Sequence, residues 1–223
     1  MKIGVLLPSR FTDSGEYLAD ARALDAAGVD SLWIPDDGLD PWLLLAGIAT
    51  VTGRARLAVP LSAADSDAFD TLARRLTTVD RLSRGRLLTT IPAADESAGA
   101  EPLIAWARHI VAAPVLLRAA TPGAALVAAR VADGLVGDAG PAQCHAAFDQ
   151  ARRRRDLDRL TGPFELWTAV PPPQGRVHWR GVLDNASAVG ATGVIVPADP
   201  RLLDLLRNAD DEDDRSDLAL AQG

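Results

Sequence analysis

The chain predicts a fold of the α/β class, a (β/α)8 TIM barrel in one compact domain. Short apolar runs alternate with helix-length segments eight times. Such alternation implies parallel strands joined by helical crossovers. The 223 residues suit eight units of this kind, because a barrel of this type occupies roughly 200–250 residues. Six of the apolar runs end at a proline: Pro8, Pro35, Pro60, Pro92, Pro171 and Pro197. Proline cannot donate to a sheet ladder, so all six are expected at one rim, where strands stop and loops begin. An open doubly wound sheet is the alternative, and the absence of G-x-G-x-x-G after the first run counts against it.

Each element carries its own signals. Residues 3–7 form a continuous apolar run, as expected of a buried parallel strand. Asp13 and Glu16 make a D-x-x-E capping box for a helix through Ala27, stopped by Gly28. Residues 31–34 are the second strand. Asp40 and Pro41 give an N-cap and an N1 proline for a helix that Gly53 is expected to stop. Residues 56–59 are the third strand. The next helix begins near Ser66 or Asp67, and Leu72, Leu76, Val79 and Leu82 mark its apolar face. Ser83-Arg84-Gly85 ends it, and residues 86–91 make the fourth strand.

The second half repeats the alternation. A helix around residues 103–111 precedes a fifth strand at 115–118. Thr121-Pro122 caps a helix through Val131, followed by a short strand at 134–136. Pro141 opens a helix that ends in the run 152–155. Strand seven covers 164–170, a helix covers about 179–189 with a stop at Gly190, and strand eight covers 193–196. Asp199-Pro200 caps the last helix, so the barrel domain is expected over 1–207. The acidic stretch 208–223 reads as a disordered tail.

Composition excludes several classes. The net charge of −7 and pI near 4.9 argue against a nucleic-acid partner. Cys144 is the single cysteine, so there is neither an intrachain disulfide nor a cysteine metal cluster. The opening MKIGVLLP is too short an apolar run for a signal peptide or a membrane span. A cytoplasmic protein is expected.

The stretch VDRLSRGRLLTTIP, residues 79–92, resembles a segment of the luciferase-like flavin- or deazaflavin-dependent oxidoreductases that reads roughly LDRLSGGRLxLGVG. Thr89, Thr90 and Pro92 stand where that family has glycines. EYLADARALDAAGVDSLWIPDD (16–37), DPWLLLAGIATVTGRARLAV (40–59) and PVLLRAATPGAALVAARVADGLV (114–136) are similar to further family segments. Family members are usually longer, with a large insertion after the fourth strand; here that region is only about residues 93–113. The resemblance implies an oxidoreductase or monooxygenase that binds FMN or coenzyme F420 at the C-terminal face of a barrel and acts on a small organic substrate. A homodimer is one assembly it allows.

In a barrel, function sits in the loops after the strands. Those loops supply Arg10, Asp36, Asp37, Ser62, Asp65, Asp95, Glu96, Arg118, Thr121, Asp138 and Asp199. Thr121-Pro122-Gly123 opens a helix, and amides at a helix start suit a phosphate. Arg118 supplies charge there. The plain alternative is a well-capped helix. The resemblance places Pro60, Leu61, Ser62 and Thr90 near the cofactor as well. Asp36 and Asp37 are the candidates for catalysis, since Asp37 stands where the family shows histidine; an ionised Asp37 cannot donate, and the alternative is a turn with Gly38. The acidic rim raises a third reading, a hard-cation site, but its spacing matches no metal motif and no metal is expected. His109, His145 and His178 fall on helices away from the rim and adjoin no nucleophile. Cys144 reads as a small buried residue, and the tryptophans read as packing, with Trp42 a candidate border of a ring pocket. A barrel that has lost catalysis and serves as a cofactor-binding or partner subunit is the alternative function.

Overall fold

Local signals set the elements, and the computed structural model shows how they close. It describes residues 1–61, 69–92, 100–118, 121–137 and 139–207. The order is β1 (Lys2–Leu6), α1 (Ser14–Ala26), β2 (Ser31–Trp33), α2 (Pro41–Val51), β3 (Arg56–Pro60), α3 (Phe69–Ser83), β4 (Leu87–Pro92) and α4 (Ala100–Ile110). It continues with β5 (Val115–Arg118), α5 (Pro122–Val131), β6 (Gly134–Gly137), α6 (Pro141–Leu157), β7 (Glu165–Ala169), α7 (Arg176–Ala188), β8 (Gly193–Pro197) and α8 (Pro200–Arg207). Every neighbouring pair is parallel, and β1 pairs with β8 through Lys2↔Gly193 to Leu6↔Pro197, so the sheet is a closed (β/α)8 barrel.

The caps act as their residue types require. Asp13 accepts from the amides of Gly15 and Glu16 at 2.7 and 3.0 Å. Asp40 accepts from Trp42 at 2.8 Å ahead of the N1 proline. Gly28, Gly85 and Gly190 take left-handed φ values of 87°, 76° and 80° after their helices, the geometry that glycine adopts without penalty. Gly53 does not: Thr52 caps α2, and the Gly53 amide donates to Asp25 at 2.9 Å. The proline rim also differs in detail. Pro60, Pro92 and Pro197 are the last residues inside their strands, in register with Thr90, Arg118 and Leu6, because a terminal residue needs no N–H of its own in the ladder. On α3, Leu72, Leu76 and Val79 are buried but Leu82 is 43 % exposed, and Ser83 is buried in its place. At roughly 100° per residue, position 83 continues the arc of 72, 76 and 79, whereas 82 falls well off it. The expected start of this helix at residues 66–67 and the expected tail at 208–223 lie outside the described residues.

Alternation divides the strand side chains into two layers. Outward residues such as Val5, Leu32, Leu57, Leu87 and Val194 join the helices in the large core. Inward residues Trp33, Ala58, Leu88, Leu116, Val136, Trp167 and Ile195 fill the barrel. Trp33 and Trp167 meet edge to face at its centre, ring centroids 5.5 Å apart. Glycine makes the room: a Cβ at Gly193 would lie 2.5 Å from the Trp167 ring, and one at Gly4 would collide with the Trp33 indole nitrogen.

Below the tryptophans the barrel is closed by charge. Glu165 accepts from both terminal nitrogens of Arg56 at 3.0 Å, from Lys2, and from the Trp167 indole at 2.8 Å. Burial alone would raise the Glu165 carboxyl, but the hydrogen bonds from Arg56, Lys2 and Trp167 outweigh it and hold the group below its ordinary 4.5.

The same N-terminal face carries the residues behind the strongest resemblance. Arg86, between α3 and β4, donates to the carbonyls of Ser83 (2.8 Å), Thr52 (3.0 Å), Ala49 (3.4 Å) and Ala55. Asp25, buried at the end of α1, accepts from the amides of Gly53, Arg54 and Ala55 at 2.6–3.0 Å. Arginine and aspartate together satisfy the backbone that leaves α2 and enters β3. A simpler tie recurs elsewhere. Asp30 accepts from Ile3 N at 2.7 Å, Asp133 from Val115 N at 2.9 Å, and Thr192 from Leu166 N at 2.8 Å. In each case the residue before an even strand anchors the start of the preceding odd one.

Candidate functional site

The C-terminal mouth is built from inward positions at the ends of the strands. Ala58, Leu88 and Leu116 point into the barrel, so Pro60, Thr90 and Arg118, two residues further on, face the same way at the top of β3, β4 and β5. Thr90 is buried, and its hydroxyl donates to the Val59 carbonyl at 3.4 Å. Leu61 has its side chain in the outer core instead, fully buried, while its amide donates to the Thr90 carbonyl at 2.7 Å. Thr121 caps α5 and accepts from the Ala124 amide at 3.3 Å. Pro122 and Gly123 are exposed in the first turn, and nothing lies within 4 Å of where a Gly123 Cβ would sit. Ser62, Asp65, Asp95, Glu96 and Asp138 lie outside the described residues.

Asp36 and Asp37 are both exposed after β2. The Asp37 carbonyl accepts from Arg10 at 3.3 Å, tying the loops after β1 and β2 together. Gly38 is required by space here: a Cβ would come within 2.6 Å of the Ser9 carbonyl oxygen. Asp199 sits at the start of α8, where its carboxylate accepts from the Arg201 amide (2.9 Å) and guanidinium (both contacts 3.0 Å). Those hydrogen bonds, the guanidinium's first, hold Asp199 below the ordinary carboxylate value.

A cavity of about 870 Å³ opens on this side of the mouth, between α1, α8 and the ends of β1, β2 and β8. It gathers Arg10, Asp37 and Asp199, and leaves Pro60, Thr90, Arg118 and Thr121–Gly123 to the opposite side. Tyr17, Glu16 and Asp20 from α1 complete the wall. Tyr17 was not legible as a site residue, because an aromatic inside a helix reads as core. Burial pushes its phenol up to about 12.

Among the described residues no group of three or more His, Cys, Asp or Glu side chains is placed to hold a metal. His109 lies at the end of α4, and His145 lies in the first turns of α6. His178 is in the first turn of α7, so it sits at the rim end of its helix rather than away from it, and it accepts from the Gln174 amide at 3.3 Å. The Cys144 thiol is buried and donates to the Ala139 carbonyl at 3.1 Å. Trp42 is buried in the outer core between α2 and the strands and borders no part of the cavity. No helix among the described residues is long and apolar enough to cross a membrane.

Known proteins with this architecture share the fold at low sequence identity. The F420-dependent tetrahydromethanopterin reductase from Methanopyrus kandleri superposes with a TM-score of 0.72 at 10 % identity, over 92 % of this chain and 96 % of that one. Monooxygenase RslO1 from Streptomyces bottropensis gives 0.70 at 14 % identity, over 93 % and 97 %. An F420-dependent secondary alcohol dehydrogenase, solved with an F420-acetone adduct, gives 0.73 at 9 % identity, over 92 % and 96 %. No curated protein matches in sequence. The family description that does match is that of the luciferase-like monooxygenases, over residues 1–98. The part of the chain that builds β1 to β4 therefore carries the luciferase-like monooxygenase family pattern, on a barrel with the fold of F420-dependent enzymes and monooxygenases.

Proposed function

We propose that this protein is a luciferase-like oxidoreductase that binds FMN or coenzyme F420 at the C-terminal mouth and acts there on a small organic substrate, by hydride transfer or oxygen activation. The observation that carries the reading is the convergence of Pro60, Thr90 and Arg118 on the inward face at the top of β3, β4 and β5, above a barrel filled by Trp33 and Trp167. A planar ring has a floor there, and α5 starts just beyond Arg118.

The residues fit a phosphate-tailed cofactor. Pro122 has no N–H, and the Ala124 amide is taken by Thr121. The Gly123 amide and the Thr121 hydroxyl proton are the donors this end of α5 brings to an anion, with the positive charge of Arg118 at the end of β5 and the helix dipole in support. The open space at Gly123 lets a phosphate approach the backbone. Pro60 and the buried Thr90 shape the wall toward the ring. When bound, either cofactor supplies the redox chemistry, and the chain's part is to position it and exclude water.

A second reading is a barrel that keeps the fold without catalysis. Asp37 favours it: its carboxylate is exposed and its position is tied through its backbone to Arg10, so it brings no proton donor to a ring. Titration of the purified protein with FMN and with F420, followed by cofactor fluorescence, separates the two. Saturable binding that is lost in Gly123→Asp, with unchanged circular dichroism, is the expected result. If neither cofactor binds at high micromolar concentration, the first reading falls and the second replaces it.

A further inference from the structure

Helices on the outside of a barrel meet water, so the side turned from the strands is expected to carry charge. Among the described residues, α2 alone of the eight helices has no aspartate, glutamate, lysine or arginine. Its buried side holds Trp42, Leu45, Ile48 and Ala49. The opposite side is apolar as well. Leu43 is 73 % exposed, and Ala46, Gly47 and Thr50 follow it at three- and four-residue steps, each exposed or half-buried. The Thr50 hydroxyl donates to the Gly47 carbonyl at 2.7 Å, so its polar group is taken up by the helix's own backbone. The neighbouring α1 extends this face: Leu18, Ala19, Arg22, Ala23 and Ala26 line, with Val51, a groove of about 430 Å³ between the two helices. On the other flank the apolar surface stops, because α3 exposes Asp70, Arg74, Arg75 and Arg81.

A contiguous exposed apolar face marks an interaction surface, and this one is complementary to itself. Leu43 projects near the start of α2. The groove beside Val51 is a recess near its end. Between them lie Ala46 and Gly47, whose small size lets a second helix approach closely. A two-fold axis across Ala46 and Gly47 therefore sets the Leu43 of each copy over the groove of the other. The charges agree with that arrangement. Exposed Asp36 and Asp37 precede α2, whereas exposed Arg22 and Arg54 stand at its far end. Antiparallel pairing brings the acidic end of one copy to the basic end of the other, whereas parallel pairing would bring like charges together.

We propose that the α1–α2 face binds a second copy of this chain, with α2 antiparallel to its counterpart and centred on Ala46 and Gly47. The proposal is independent of the redox reading, because its test uses no cofactor. Sedimentation equilibrium of the full chain at micromolar concentration should give twice the 23.5 kDa chain mass. Leu43→Glu should weaken self-association by at least about tenfold. Because Leu43 is largely exposed in the single chain, that variant should keep the parent circular dichroism. Single cysteines then read the direction of pairing, since the native Cys144 is buried. Ala46→Cys lies next to the axis and should form a disulfide-linked dimer under mild oxidation. Thr50→Cys should not, because antiparallel pairing separates the two copies of that position by roughly 10 Å along the helix, beyond the reach of a disulfide. A chain that stays monomeric at high micromolar concentration overturns the proposal, whether or not it cosediments with phosphatidylcholine vesicles. So does a dimer that Leu43→Glu leaves unchanged, or one in which Thr50→Cys crosslinks as well as Ala46→Cys.

Discussion

Replacing Arg86 tests whether the family-like stretch is a structural clamp. Its guanidinium holds the Ser83 and Thr52 carbonyls at 2.8 and 3.0 Å and also reaches Ala55, with weaker contacts at 3.3–3.4 Å to Thr52 Oγ1 and the Ala49 carbonyl. Arg86→Ala leaves those carbonyls without a donor and removes the positive charge that helps keep Asp25 ionised. Hydrogen bonds from a charged donor contribute about 1.5–3 kcal/mol each. The half-exposed position discounts the sum, so the loss comes to about 3–5 kcal/mol, a large fraction of the roughly 5–15 kcal/mol that holds a domain folded. For a chain of this length that is a fall in Tm of about 10 °C. Arg86→Lys keeps the charge but not the planar fork and should recover about half of the loss. Urea unfolding and calorimetry measure both variants. The reasoning fails if Arg86→Ala lies within about 1 kcal/mol of the parent, or if Arg86→Lys is indistinguishable from it.

Two further outcomes follow from the packing and the charges. Gly193→Ala drives a Cβ to 2.5–2.8 Å from the Trp167 ring, so urea unfolding should show a loss of about 1–3 kcal/mol, partly recovered when Trp167→Phe is combined with it. Burial would raise Asp25, but the amides of Ala55, Gly53 and Arg54 and the Arg86 charge outweigh it and leave the carboxyl below its ordinary 3.8. Its contribution is therefore fully present above pH 3.8 and is lost as pH falls through the lower folded value; urea midpoints measured against pH should show a flatter acid limb in Asp25→Asn.

Signals that act over a few residues could be read directly. Asp13, Asp40 and Thr121 each cap the helix that follows them, and β5 at 115–118 and the end of α5 at Val131 fall where the sequence puts them. Leu82 was misassigned because it follows Val79 at a three-residue step and is apolar, whereas Ser83, which lies on the arc of 72, 76 and 79 and is buried, gives no apolar signal. Arg86 reads in the sequence as the first residue of strand four, since nothing local announces that its partners lie up to 37 residues away in α2. Rim position could be inferred for Arg10, Asp37, Arg118 and Thr121, but not that the first two belong to a cavity with Tyr17 while the last two stand across the mouth.

The sequence by itself determined the count of strands and helices, their alternation, their caps and the parallel barrel that these imply, because periodicity and capping depend on residues within a turn or two of one another. Only the tertiary structure decided what meets inside and above the ring: Lys2 against Glu165 across 163 positions, Trp33 against Trp167, and Tyr17 beside α8. Those contacts exist because β1 pairs with β8, and the closure of a sheet is a property of all its strands together.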